Sequence, residues 1–330
     1  MQIAFMPYLG KFNLTFGGFD FRPYHKIRNI FDQKVREHLD WYLEKHVDSH
    51  NKSLPITLVG VGGNFFGPWG EEIIQNMYNS AAILAFFYIW TSHPQVHPIC
   101  SENFNLYIKD FDIAKRNFST STGTFIQMNK MYSTDFAQKV KFIVPEEIPL
   151  STMIANMTID ESFLDALSQA VVKAQSEQWL RRIVRSMKIY NVCVSNTNML
   201  SWLDRALLLV TAVSSLFEER TDDKNRFANT IVNYIGTGNV ETDSRLKSIF
   251  SKVYEIRSRY SHGQGITAED LIHPEYGDLI IGTLYSYGLI IKSILRKNEF
   301  LLTKDLVSSH FFILLLFDRM QSAIREDEDA

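Results

Sequence analysis

Apolar and polar positions divide this chain into two differently patterned stretches. Through the first 150 residues, short aromatic-rich runs alternate with glycines. Residues 2–9 and 11–21, broken by Gly10, Gly17 and Gly18, have the pattern of short strands and turns. Ile30, Val35, Leu39 and Leu43 fall along one side of a helix expected over residues 28–47. Residues 55–60 read as a buried strand. Residues 71–90 read as a helix that is almost wholly apolar in its second half. Further short strands are expected at 106–108, 124–128 and 141–144. Pro145, Pro149 and the polar Ser151-Thr152 pair then mark a boundary.

Beyond Asp160 the pattern is helical almost throughout. Helices are expected over 160–190, 198–219, 226–235, 243–261, 278–297 and 304–325. Gly236 and Gly238 stop the third, and Gly263 and Gly265 stop the fourth. The expected fold class is α+β. A mixed α/β domain over 1–150, with a sensing or recognition role, precedes an all-α helical bundle over 151–330.

Composition narrows this picture. The chain has 330 residues, of which 45% are hydrophobic and 22% charged, as in ordinary globular proteins. A net charge of -3 argues against coating nucleic acid through bulk charge and leaves room for a local basic face. Cys100 and Cys193 lack metal-type spacing, which points to a reducing, cytoplasmic compartment and to no metal centre. No signal peptide is expected, because residues 1–10 have no basic and apolar leader pattern. The apolar runs 81–90, 279–295 and 310–317 are too short or too polar to span a bilayer, which needs about 20 apolar residues.

The stretch that carries chemistry is Ile256-Arg257-Ser258-Arg259-Tyr260-Ser261-His262-Gly263. Arginine grips phosphate through a planar fork of donors, and histidine moves protons near neutral pH. Together they can cut an RNA backbone without a metal. Leu246, Ile249, Val253, Ile256 and Tyr260 recur at spacings of three and four, an apolar stripe that Tyr260 is expected to join in the core. Thr242 or Asp243 is the expected cap, and Gly263 suits the left-handed residue that ends a helix. Residues five positions apart on an ideal helix are separated by about 140° around the axis. Arg257 and His262 therefore do not share a face. Either the helix loosens before His262 or a second copy completes the site.

The match extends further than this pair. The run from Leu203 to Phe217 precedes, by about 40 residues, the segment Val253-Tyr254-Glu255-Ile256-Arg257-Ser258-Arg259-Tyr260-Ser261-His262-Gly263. This arrangement resembles the Apea-like HEPN domains, over residues 198–325. The resemblance implies an α-helical bundle that dimerises with its arginine and histidine motifs facing each other. It also implies metal-independent endoribonuclease activity, often in toxin or antiviral, anti-phage defence systems, needing no cofactor. Carried over, Arg257 would stabilise the scissile phosphate, His262 would transfer protons, and Ser258 would tune the arginine. Many relatives carry an acidic residue where this chain has Ser214, with Glu218 and Glu219 one turn later. That departure keeps open an inactive RNA- or nucleotide-binding module, or a dimerising adaptor.

Arg181, Arg185 and Lys188, with Arg182 beside them, form a basic stripe that could track an RNA backbone. Lys252 and Arg259 add positive charge near the motif. The glycine-rich stretch 60–67 lacks the Gly-Lys-Ser/Thr of a P-loop and reads as an ordinary turn. His25, Lys26 and Arg28 make a basic patch open to a trigger ligand or partner. His93 and His97, each followed by proline, make a poor metal site.

Overall fold

The computed structural model describes residues 2–6, 12–44, 46–48, 53, 56–91, 106–112, 117–120, 142–144, 160–194, 200–217, 223–263 and 274–300. The chain is α+β and forms two compact units. The first comprises Met1–Ala85 and Ile99–Met157, the second Phe86–Pro98 and Thr158–Ala330.

The first unit is built on strands β1 (Gln2–Met6), β2 (Leu14–Phe16), β3 (Phe19–Pro23), β5 (Thr57–Gly60), β6 (Tyr107–Asp112) and β7 (Asn117–Thr120). They form one sheet in the order β2-β3-β5-β1-β6-β7, with every pairing antiparallel. Central β1 pairs Ala4 with Val59 on one side and with Ile108 on the other. Residues 3–6 are buried in succession, so this strand is covered on both faces. A parallel pair, β4 (His46–Asp48) and β8 (Phe142–Val144), stands apart from this sheet. Strands β4 and β7 carry no alternation strong enough to have been anticipated, and the strand expected over 124–128 lies outside the described residues.

Helix α1 (Tyr24–Ile27) is a single turn, and α2 is Gln33–Leu43, shorter than the helix expected over 28–47. The Asp32 carboxylate accepts the Val35 N–H at 2.9 Å and fixes the start of α2. Phe31 is extended immediately before it. Val35, Leu39, Tyr42 and Leu43 of α2 pack with Ile3, Phe5 and Leu58 of the sheet in one core cluster. The glycine stretch is a tight two-residue turn. Val61 and Asn64 exchange backbone hydrogen bonds, and Gly62 and Gly63 sit at φ 56° and 80°, the left-handed region that such hairpins need. The Gly63 N–H donates to the Asp20 carboxylate at 2.8 Å, so this N–H is already satisfied within the sheet's own turn.

Helix α3 (Glu71–Thr91) begins in the first unit and ends in the second. The second unit continues with α4 (Glu161–Lys173), α5 (Gln178–Cys193), α6 (Trp202–Leu216), α7 (Lys224–Ile235), α8 (Val240–Ser261) and α9 (Pro274–Lys297). The single helix expected over 160–190 is two helices. Glu177 is extended at φ -107°, ψ 119°, and its carboxylate accepts the Trp179 indole N–H at 2.7 Å. Apolar periodicity continues across this break, so the pattern alone conceals it. Asn239, rather than Thr242 or Asp243, caps α8 by accepting the Glu241 and Thr242 N–H groups. The Asp243 carboxylate instead holds the preceding turn through Thr237 N–H at 2.8 Å. The helix expected over 304–325 lies outside the described residues.

Aromatic rings and one hydroxyl chain hold the second unit together. Tyr287 and Tyr190 stack at 4.5 Å, and Phe86 meets both edge-on. Ser186 Oγ donates to the Ala212 carbonyl at 2.6 Å and takes the Tyr287 hydroxyl at 2.5 Å, tying α5, α6 and α9. Trp90 lies against Gly288 and donates its indole N–H to the Tyr285 carbonyl at 2.8 Å. Beside it, Lys292 stands over the Trp90 and Phe163 rings and pairs with Asp160 at 2.7 Å. Among the described residues no helix is long and apolar enough to cross a membrane.

Candidate functional site

Helix α8 carries the arginine of the motif on its last turns and ends one residue before the histidine. Its buried side chains are Leu246, Phe250, Val253, Tyr254 and Ile256. The seam therefore runs through Phe250, while Ile249 is only half-buried, which corrects the stripe read from the sequence. Stepping 246, 250, 253 leads next to 257, so Arg257 continues the buried seam. The Arg257 guanidinium stands over the Tyr254 ring, 5.6 Å from its centroid. Its Nε is buried and has no hydrogen-bond partner among the described residues.

His262 lies one residue beyond the helix at φ -98°, ψ 7°, and its side chain is exposed. Its backbone N–H still donates to the Ser258 carbonyl at 3.1 Å, so the helix does not loosen before it. Gly263 follows at φ 63°, as a helix-terminating glycine should. Arg257 and His262 accordingly share no hydrogen bond. One copy of the chain presents the arginine from the packed side of α8 and the histidine from its open end.

Tyr260 does not join the core, contrary to the sequence reading. It is half-buried, and its hydroxyl donates to Asp204 Oδ1 at 2.8 Å. Asp204 belongs to the first turn of α6, where it forms a reciprocal capping box with Ser201. Asp204 Oδ2 accepts both the Ser201 N–H at 2.8 Å and the Ser201 Oγ–H at 2.7 Å. Burial works to raise the Asp204 carboxyl, but the bonds from Ser201 and Tyr260 outweigh it and hold the group below its usual range. The same bond to Asp204 raises the Tyr260 phenol. The sequence reading did not single out Asp204; its Ser-x-x-Asp spacing is the local signal of a cap, but its Tyr260 partner lies 56 residues away.

A third helix end meets this corner. The Arg205 guanidinium is buried and donates to the carbonyl of Cys193 at the end of α5, while Cys193 Sγ donates to the Arg205 carbonyl at 3.2 Å. Burial pushes the Cys193 thiol up to about 12 and leaves it a packing residue.

The remaining residues singled out in the sequence are distributed as follows. Ser258 is half-buried, and Lys252 and Arg259 are exposed two turns apart on one side of α8. Lys224 at the start of α7 pairs with Glu255 at 2.5 Å beside them. On α5, Arg181 and Arg185 are exposed, but Lys188 is half-buried and burial lowers its ammonium. Helix α5 packs on α6, and α6 in turn on α8. Ser214 is half-buried near the end of α6, whereas Glu218 and Glu219 lie outside the described residues, as do His93 and His97. In the first unit, Arg28 of the basic patch is engaged by the Asp40 carboxylate, which also accepts the Tyr24 hydroxyl at 2.7 Å. Among the described residues no three His, Cys, Asp or Glu side chains are grouped to hold a metal ion.

Comparison of the chain with protein-family models, with curated proteins and with solved structures finds no match.

Proposed function

We propose that this chain is a metal-independent endoribonuclease of the HEPN type, working as a homodimer and serving as a toxin or anti-phage effector in the cytoplasm. The observation that carries the reading is the placement of Arg257. Its guanidinium is held on an aromatic ring, and its buried Nε is unpartnered, one and a half turns before an exposed histidine. A cation so placed suits an incoming anion better than a structural ion pair.

In this reading the RNA 2′-hydroxyl attacks the adjacent phosphorus and loses its proton to a His262 imidazole. Arg257 stabilises the charge on the phosphorane oxygens. The bond to the 5′-oxygen then breaks, and that oxygen gains a proton from an imidazolium. The products are a 2′,3′-cyclic phosphate and a 5′-hydroxyl. Two copies of the motif supply two histidines, one in each protonation state. Lys252 and Arg259, with Arg181 and Arg185, supply exposed positive charge for the backbone.

The test is cleavage of total RNA by purified protein in EDTA. Wild type is expected to produce cyclic-phosphate ends, and Arg257→Ala and His262→Ala each to lower the rate at least 100-fold, about 2.7 kcal/mol of transition-state stabilisation. Cleavage that survives both substitutions would refute the assignment. A second reading, an RNA-binding module without activity, is favoured by Ser214 and by the lack of any carboxylate paired with Arg257 among the described residues. Retained RNA binding without cleavage would select it.

A further inference from the structure

We infer that Tyr260 and Asp204 are positioning residues for the Arg257 and His262 site, a role that rests on the nuclease reading above. Tyr260 lies three residues after Arg257 and two before His262. Its side chain is bonded to a different helix, the hydroxyl donating to Asp204 Oδ1 at the start of α6 at 2.8 Å. Both oxygens of its acceptor are occupied: Oδ1 by Tyr260, and Oδ2 by the Ser201 N–H and Oγ–H. The carboxylate is thus fixed at the start of α6 before it receives the phenol. Arg205, the next residue, is buried and bonded to the end of α5, so the anchor itself cannot swing.

This geometry answers a chemical need. The last turn of a helix has carbonyls without helical partners and frays readily. His262 stands beyond that turn, exposed and without a side-chain bond among the described residues. An imidazole that must meet a phosphate to within a few tenths of an ångström needs its backbone held by something. The Tyr260 hydroxyl holds it, from the residue next but one. The tether also supplies from the first turn of α6 an acidic contact to the motif helix, where Ser214 at the far end of α6 offers only a hydroxyl.

Tyr260→Phe removes only the hydroxyl and keeps the ring. Its cleavage of RNA in EDTA is compared with wild type and with Asp204→Asn, which retains an acceptor oxygen, at a temperature far below each melting transition. Tyr260→Phe is expected to lower kcat about tenfold with KM unchanged, and Asp204→Asn to lower it less. Amide hydrogen exchange at Ser261, His262 and Gly263 is expected to quicken in Tyr260→Phe and not in Asp204→Asn. A kcat equal to wild type in folded Tyr260→Phe overturns the positioning role and leaves the nuclease reading intact. Absence of cleavage by wild type overturns the nuclease reading, and with it this role. Unchanged exchange at the three amides shows that Tyr260 does not hold the turn and overturns the role independently of activity.

Discussion

Single side chains in the second unit have little room to change. A Cβ added to Gly288 would come within 1.9 Å of the Trp90 ring, and the ring cannot retreat without breaking its bond to the Tyr285 carbonyl. Overpacking of this kind costs about 1–3 kcal/mol and more where nothing yields. Gly288→Ala is expected at or above the upper end of that range, read as a lowered urea midpoint at an unchanged m-value. The same residues show what a sequence conceals. Nothing local to Gly288 shows why a glycine stands in an apolar helix; the reason is a tryptophan ring 198 positions earlier. Tyr260 likewise matched the apolar period, because a tyrosine satisfies that period whether its hydroxyl is buried or tethered. The Arg257 and His262 pair was legible because it is local, and so was the angle between them, since helix geometry alone sets it.

At the scale of elements, the longer helical stretches among the described residues were legible, but the break at Glu177 and the helix ends were not. Asp32, Ser201, Asp223 and Asn239 each cap a helix through their own side chains. Several such polar residues cluster near each boundary, and only the fold decides which one caps. Asp160 is a case with a measurable consequence. It caps α4 by accepting the Phe163 N–H at 3.0 Å and also pairs with Lys292 of α9. Burial works to raise its carboxyl, but the bonds from Lys292, Ser162 and Phe163 prevail and lower it. Its contribution is therefore complete above the ordinary carboxylate pKa of about 3.9 and disappears as pH falls through the lower folded value. Asp160→Ala is expected to cost about 1–2 kcal/mol at pH 7, the loss of a cap and a partly exposed pair. Thermal melts from pH 7 down to pH 2 should show the difference from wild type shrinking at the acid end.

The whole molecule depends on a helix that its two units share. Phe86, Phe87 and Trp90 belong to the second unit, where they meet Tyr190, Tyr287 and Phe163. Truncating one buried aromatic costs about 3–5 kcal/mol. Losing three removes about 9–15 kcal/mol, comparable to the whole stability of a typical domain, about 5–15 kcal/mol. A fragment of residues 158–330 is therefore expected to show no cooperative heat-absorption peak in calorimetry, whereas the full chain shows one. The sequence marks a boundary by prolines near residue 150, and the second unit resumes at Thr158. The allegiance of residues 86–91 to the later unit has no such mark, because an apolar helix half fits either core until the partners are known.

That shared helix also sets a waiting time. Trp90 and the Tyr285 carbonyl it bonds are 195 residues apart. At roughly 5–20 residues per second, the ribosome needs on the order of 10–40 s to deliver the second after the first. For that interval an apolar helical segment holding two phenylalanines, a tyrosine and a tryptophan lacks the part of its binding site that Tyr285, Tyr287 and Gly288 supply.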